Sequence, residues 1–141
     1  MRKAHRSDLV FVDGDEWVTD GYRFICTPWA QKPATRAGES LIVLCHAPPL
    51  KTEVSSDAGW EAGDDDVAEA THALFGGSLT LSGHVHSPPT WHARMGDVWC
   101  FNPGVDFHAL TPNHIVIDTT VARATWVTEQ AGRRQVDLRI R

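Results

Sequence analysis

The sequence is poor in several features that would place it in a familiar class. Its 141 residues include three cysteines, an odd number with no C-x-x-C pair, which argues against a disulfide framework and against a structural zinc knuckle. Each cysteine stands in an apolar stretch, which is typical of buried reduced thiols in a cytoplasmic protein. No apolar run is long enough to cross a membrane, and no signal-peptide core follows the basic first residues. We therefore predict a cytoplasmic protein without a membrane segment.

Charge and length narrow the classes further. The net charge of −5 lacks the basic excess of a general nucleic-acid binder, so no such role is expected. No internal repeat or low-complexity tract is visible, and the hydrophobic content of 42% is ordinary for a globular protein. At this length we predict one domain over residues 1–141 with a moderate core.

A continuous apolar run that ends in histidine begins at residue 41. Residues 41–45 (LIVLC) are typical of a strand that is covered on both faces. His46 follows directly, and Pro48 and Pro49 prevent the strand from continuing. The pattern predicts that His46 is presented at the exit of a buried strand.

A second stretch repeats this pattern and adds another histidine. The short apolar run at residues 79–81 (LTL) leads through Gly83 into His84 and His86. Gly83 allows a sharp turn and a close approach of the backbone to a ligand, because it has no Cβ atom. Neutral imidazole nitrogens presented in this way are ligands for zinc, manganese or iron.

The residues between the two histidine stretches predict a crossover helix. Three aspartates at 64–66 favour a helix start, since they cap backbone N–H groups and suit the positive end of the helix dipole. Positions 67, 70, 71 and 74 then form one apolar face, and Gly76 is typical of a helix end. A strand, helix and strand in this order predict a parallel pair, with both histidine turns at the same sheet edge. We therefore expect the ring nitrogens of His46, His84 and His86 to lie within about 5 Å of one another.

Together with this helix, the remaining strand signals predict an α/β fold with a mixed sheet and one crossover helix. The strands at 114–118 and 121–127 are expected to form a hairpin across residues 119–120. We predict strands at 9–12, 16–19, 22–27, 98–101, 114–118, 121–127 and 136–141.

Four further residues are candidates for the site. Asp13 and Asp15 could supply carboxylate ligands, although Asp-Gly between apolar runs is in itself typical of a turn, and we favour the turn. Trp60 stands in a polar loop and could stack on an aromatic group of a substrate or simply plug the loop. Asn102 begins the turn N-P-G after an apolar strand and is a candidate for the substrate rim.

The order of these motifs resembles the C-terminal half of a calcineurin-like metallophosphoesterase. The matching pieces are CHAPP at 45–49, SGHVH at 82–86 and FNPGV at 101–105, with a weaker match in RFICTPW at 23–29. The resemblance implies an α/β/β/α sandwich with two divalent metal ions, manganese, iron or zinc, and hydrolysis of phosphate monoesters or diesters. His46 and His84 would bind one ion and His86 the other. Such ions polarise phosphoryl oxygens and activate water for attack.

The departures from that family's pattern are as informative as the matches. The N-terminal motifs D-x-H and G-N-H do not precede His46, and no G-D pair precedes it apart from the one within Asp13-Gly14-Asp15. The sequence Asp13-Gly14-Asp15 imitates the first motif without its histidine, and Gly63-Asp64 lies on the wrong side of His46 to be the second. We therefore interpret the chain as the second half of such a domain, with about half of its metal ligands absent.

Three hypotheses remain open at this point. The chain could be an active phosphoesterase with two ions once an N-terminal half is supplied by another chain or segment. It could be a hydrolase with one metal on three histidines. It could also be a non-catalytic metal-binding subunit that keeps the half-fold to bind a partner. A half-domain should leave an apolar sheet face uncovered, so self-association or a protein partner is expected.

Overall fold

The computed structural model describes residues 11–19, 21–36 and 38–139, which form eleven strands and one helix. The elements are β1 (Glu16–Thr19), β2 (Tyr22–Cys26), β3 (Leu41–Leu44), β4 (Ser56–Asp57), β5 (Trp60–Glu61), α1 (Asp65–His72), β6 (Leu79–Leu81), β7 (His92–Met95), β8 (Val98–Phe101), β9 (His114–Asp118), β10 (Arg123–Thr128) and β11 (Gly132–Asp137). The strand predicted at 9–12 lies partly outside the described residues, and Phe11 and Val12 belong to no strand.

A mixed sheet of six strands is the centre of the fold, in the order β1-β2-β3-β6-β8-β7. The four inner strands are parallel, whereas β1 and β7 pair antiparallel at the two edges. Ile42 lies opposite Leu79 and Leu44 opposite Leu81, so the parallel pairing predicted for the two histidine stretches is confirmed. The predicted mixed sheet with a helix between these strands is also confirmed, in a chain that is mostly strands.

The helix covers one face of this sheet. Asp64 caps it, since its Oδ1 accepts a hydrogen bond of 3.0 Å from the backbone N of Val67, as the aspartate run predicts. Ala68 packs with Val54 and Cys100 in a buried cluster against the sheet. The helix ends at His72, earlier than the apolar pattern through position 74 indicates.

A three-stranded antiparallel sheet, in the order β11-β10-β9, packs on the opposite face. Trp99 and Phe101 of the large sheet share one cluster with Ile117 and Trp126 of the small sheet. The predicted hairpin of β9 and β10 is confirmed, but the last strand begins at Gly132 and not at residue 136. The large sheet is therefore covered on both faces, by the helix and by the small sheet.

The outer face of the small sheet is mostly polar. Because Ala124 and Trp126 point inward, the alternate positions point outward. Those positions carry His114, Val116, Asp118, Arg123, Thr125, Val127, Arg133, Gln135 and Asp137. This is not the broad apolar face that the half-domain interpretation predicts. The most exposed large apolar residues lie elsewhere, at Trp60, Phe107 and Leu110, which are 80%, 75% and 96% exposed. Within the described residues, no helix is long and apolar enough to span a membrane.

Candidate functional site

The exits of β3 and β6 bring two of the predicted ligands together. The backbone holds the two exits side by side, because Cys45 N donates to Leu81 O at 3.0 Å and Gly83 N donates to His46 O at 3.0 Å. The side chains of His46 and His84 then meet, with 3.1 Å between Nε2 of His46 and Nδ1 of His84. Both histidines are exposed, so a ligand from solvent can reach them.

His84 reaches this position through an unusual backbone conformation. Its φ angle is +63°, in the left-handed region that few residues other than glycine adopt. Val85 N donates to Gly83 O at 2.7 Å and closes a tight turn around His84. The Val85 side chain is buried and anchors the turn from inside. Strain of this kind is frequent at functional sites and has to be held by the surrounding structure.

His86 lies apart from this pair. Its ring stands edge-on to Phe107, with 5.3 Å between the ring centroids. In the described part of the chain it has no ring contact or side-chain hydrogen bond with His46 or His84, and no three His, Cys, Asp or Glu side chains form a group that could hold a metal ion. The structure therefore brings two of the three predicted ligands into contact and leaves the third beside them.

Asp57 fixes the backbone of His86, and the sequence analysis did not single it out. Its two carboxylate oxygens accept hydrogen bonds from the backbone N atoms of His86 and Ser87, at 3.1 and 3.0 Å. These bonds, the one from His86 first, and the nearby imidazoles of His86 and His84 lower the pKa of Asp57 below its ordinary value. The only sequence signal was a polar loop before Gly59, where the structure has the small hairpin of β4 and β5. Trp60, across this hairpin, is largely exposed.

Asn102 and Gly104 support the histidine turn from below. Asn102 is fully buried, its Nδ2 donates to Gly83 O at 2.6 Å, and its Oδ1 accepts from Gly104 N at 2.9 Å. Gly104 has a φ angle of +64°, and a Cβ atom there would lie 3.0 Å from His86 O. The structure thus places Asn102 beneath the turn and not at the rim where the sequence analysis expected it.

The two aspartates near the start of the chain lie in the turn that the sequence predicts. Asp15 Oδ2 accepts a hydrogen bond of 2.8 Å from Val12 N, so the carboxylate is already used within this turn. Asp13 lines a shallow depression of about 280 Å³ together with Cys45 and His46. Burial raises the pKa of the Cys45 thiol to about 12, so this thiol is protonated at neutral pH in the metal-free chain.

Trp29 is a second residue that the sequence analysis did not place in the site. It follows the end of β2, a parallel strand that ends at the same sheet edge as β3 and β6. Its ring stands edge-on to His46 and to His84, with centroid distances of 4.2 and 5.4 Å. The indole therefore shields one side of the histidine pair from water.

No family model, curated protein sequence or solved structure matches this chain.

The distance between the two ring nitrogens of the histidine pair suits either of two contacts. Two nitrogens that each bind a tetrahedral ion at about 2.1 Å lie roughly 3.4 Å apart. The observed 3.1 Å between the rings of His46 and His84 is close to this separation. The same distance also suits a hydrogen bond between two neutral imidazoles, with one ring as donor and the other as acceptor.

Proposed function

We propose that this chain is the histidine-bearing half of a metal-dependent phosphoesterase, in which His46 and His84 hold one divalent cation. The observation that carries the proposal is the 3.1 Å separation of their ring nitrogens at the exits of adjacent parallel strands. Open α/β sheets bind their ligands at this edge, where loops can converge on one point.

The arrangement of layers supports the same proposal. A helix, a six-stranded sheet and a three-stranded sheet follow one another through the molecule. Such a set of layers is compatible with the C-terminal part of an α/β/β/α sandwich. In the division of labour that the resemblance implies, His86 would serve a second ion that also needs carboxylates from the other half.

Each residue of the site would have a distinct part in this function. His46 and His84 would bind the cation as neutral imidazoles, and Trp29 would exclude water from one side of the pair. Asp57 would orient His86 through its backbone. A divalent cation would polarise the phosphoryl oxygens and lower the pKa of water.

Metal titration tests the proposal directly. We expect calorimetric titration with Zn²⁺ or Mn²⁺ to show binding that falls at least about 100-fold in His84→Ala and in His46→Ala, because each removes a direct ligand. His72→Ala is the matched control, since His72 is exposed on α1. Equal affinity in the wild type and all three variants would contradict the proposal.

Hydrolysis tests the need for a second half. With carboxylate ligands absent, the chain alone should show little turnover of bis-p-nitrophenyl phosphate even with excess Mn²⁺. Adding a polypeptide that carries D-x-H, G-D and G-N-H should restore turnover, and His84→Ala should abolish it. Strong Mn²⁺-dependent turnover by residues 1–141 alone would contradict the conclusion that the carboxylate ligands are missing. Asp13 and Asp15 would then be the candidates for these ligands.

A non-catalytic metal-binding subunit is the second candidate. It is favoured by one observation, that only two of the predicted ligands converge in the described part of the chain. Retained metal binding with no turnover in the presence of the second half would select it. A single-metal site on three histidines would in addition require His86 to turn towards the pair.

A further inference from the structure

A cleft of about 430 Å³ lies beside His86, between the loops at the sheet edge and the small sheet. Its lining includes His86 and Pro88 from the histidine loop, Gly104 from the N-P-G turn, and Trp126 and Arg134 from β10 and β11. The volume is within the range of small-molecule sites. Because His86 belongs to the cleft and to the candidate metal site, the two are neighbours.

The wall formed by the small sheet is built on Trp126, which contacts two other elements of the fold. Trp126 Nε1 donates to Pro103 O at 3.0 Å, and its ring stacks on Trp91 with 6.2 Å between centroids and 7° between planes. Arg134 lies over the same indole, with its Cζ 5.9 Å from the ring centroid. A guanidinium held against an aromatic face keeps its N–H groups in a fixed fork, which matches a phosphate group.

The charges of the cleft favour an anion. None of its lining residues is an aspartate or glutamate, and within the described residues no carboxylate forms an ion pair with Arg134. His92 also lines the cleft. Burial lowers the pKa of its imidazole, which favours the neutral form. Arg134 is therefore a permanent positive charge facing a cleft without a negative one.

We propose that this cleft binds a phosphate group and that Arg134 is its anchor. The inference rests on the proposed function for the identity of the ligand. The bound group would be a second phosphate of the substrate, beyond the one that is hydrolysed at the histidines. The substrates of the histidine site would then be phosphate esters that carry a second phosphate group.

NMR titration of the metal-free protein with inorganic phosphate tests the cleft. EDTA removes any metal, and the indole N–H signal of Trp126, assigned with Trp126→Phe, reports on the cleft wall. We expect a saturable shift in the wild type and an affinity at least about tenfold lower in Arg134→Gln, because charge-assisted hydrogen bonds are lost. The matched control is Arg133→Gln, since Arg133 points to the opposite face of β11 and should bind phosphate within about twofold of the wild type.

Several outcomes would overturn the inference. They are the absence of a saturable shift in the wild type, an equal affinity in Arg134→Gln, and equal or tighter binding of acetate at matched ionic strength. If Arg134→Gln does not fold, Arg134→Lys takes its place and should lower the affinity about threefold, because the charge stays and the fork is lost; an unchanged affinity would overturn the proposal. The titration in EDTA does not depend on the histidine pair, and the metal titration does not depend on Arg134, so failure of one proposal is distinguishable from failure of the other.

Discussion

The two histidine turns begin alike and are stabilised in different ways. After β3, His46 is followed by Ala47, Pro48 and Pro49, all buried, so the chain next to the histidine fixes this turn. After β6, the turn at His84 has a left-handed backbone and depends on residues far along the chain.

This difference shows which part of the site is local and which is assembled. Prolines restrict their own backbone and that of the residue before them, so the first turn is fixed largely by its own residues, with added bonds from Gly83 N to His46 O and from Asp64 N to Pro48 O. The second turn is held by Asn102, Asp57 and Val105, whose hydrogen bonds to Gly83 O, His86 N and His86 O reach it from β4 and from the segment after β8. The histidine pair should therefore form only when β8 has joined the sheet.

The largest expected effect comes from removing the amide beneath the second turn. Asn102→Ala leaves the Gly104 N–H without its partner and leaves Gly83 O with only the bond from Val85 N, so it should lower the free energy of unfolding by about 2–4 kcal/mol. Urea denaturation followed by tryptophan fluorescence measures this. Asn113→Ala is the control, because Asn113 makes one weaker bond of 3.3 Å to Pro103 O and should cost about 1 kcal/mol. Equal losses in both variants would mean that the second turn does not depend on Asn102.

The close approach at Gly104 should give the next largest effect. Gly104→Ala introduces a Cβ atom 3.0 Å from His86 O and 3.1 Å from Pro88 Cδ. Gly96→Ala is a matched control, since its φ of +60° is almost the same as +64° and no atom lies within 4 Å of the added Cβ. We expect Gly104→Ala to be roughly 1–3 kcal/mol less stable than Gly96→Ala in the same denaturation assay. An equal loss of stability in the two variants would show that the close contact between residue 104 and the His86 loop does not affect the free energy of unfolding.

The same contrast explains how much of the molecule the sequence predicts. Apolar runs and a row of aspartates were enough for the parallel pair and for the start of the helix, because those signals lie within the elements themselves. The early start of β11 could not be predicted, since Arg133 and Arg134 show no apolar alternation and the strand is specified by pairing with β10. Asp57 was missed for a similar reason, because its partners are about thirty residues away.

The left-handed conformation of His84 predicts an effect of opposite sign at the two histidines. His84→Gly should be more stable than His84→Ala by about 1 kcal/mol, because glycine adopts a positive φ without strain. His46 has no positive φ, so His46→Gly should be less stable than His46→Ala. Thermal denaturation of the four variants measures both differences. If the glycine variant were the more stable one at both positions, or the less stable one at both, the two turns would not differ in backbone strain.

The smallest effect is a pH dependence at Asp57, which is partly exposed to solvent. Because its pKa is lowered in the folded state, the stability that it contributes is present above the unfolded pKa of about 3.9 and is lost as the pH falls through the folded value. As the pH falls from about 5 to about 3, the free energy of unfolding should therefore decrease less in Asp57→Asn than in the wild type.

Hydrogen exchange localises the change, since protection of the His86 and Ser87 amides should decline with falling pH in the wild type. Asp118→Asn is the control, because the pKa of Asp118 is lowered by hydrogen bonds from Thr120 in the β9–β10 turn and its loss should leave protection at His86 and Ser87 unchanged. Identical pH profiles for the wild type and Asp57→Asn would show that the bonds from Asp57 do not contribute to the stability of the second turn.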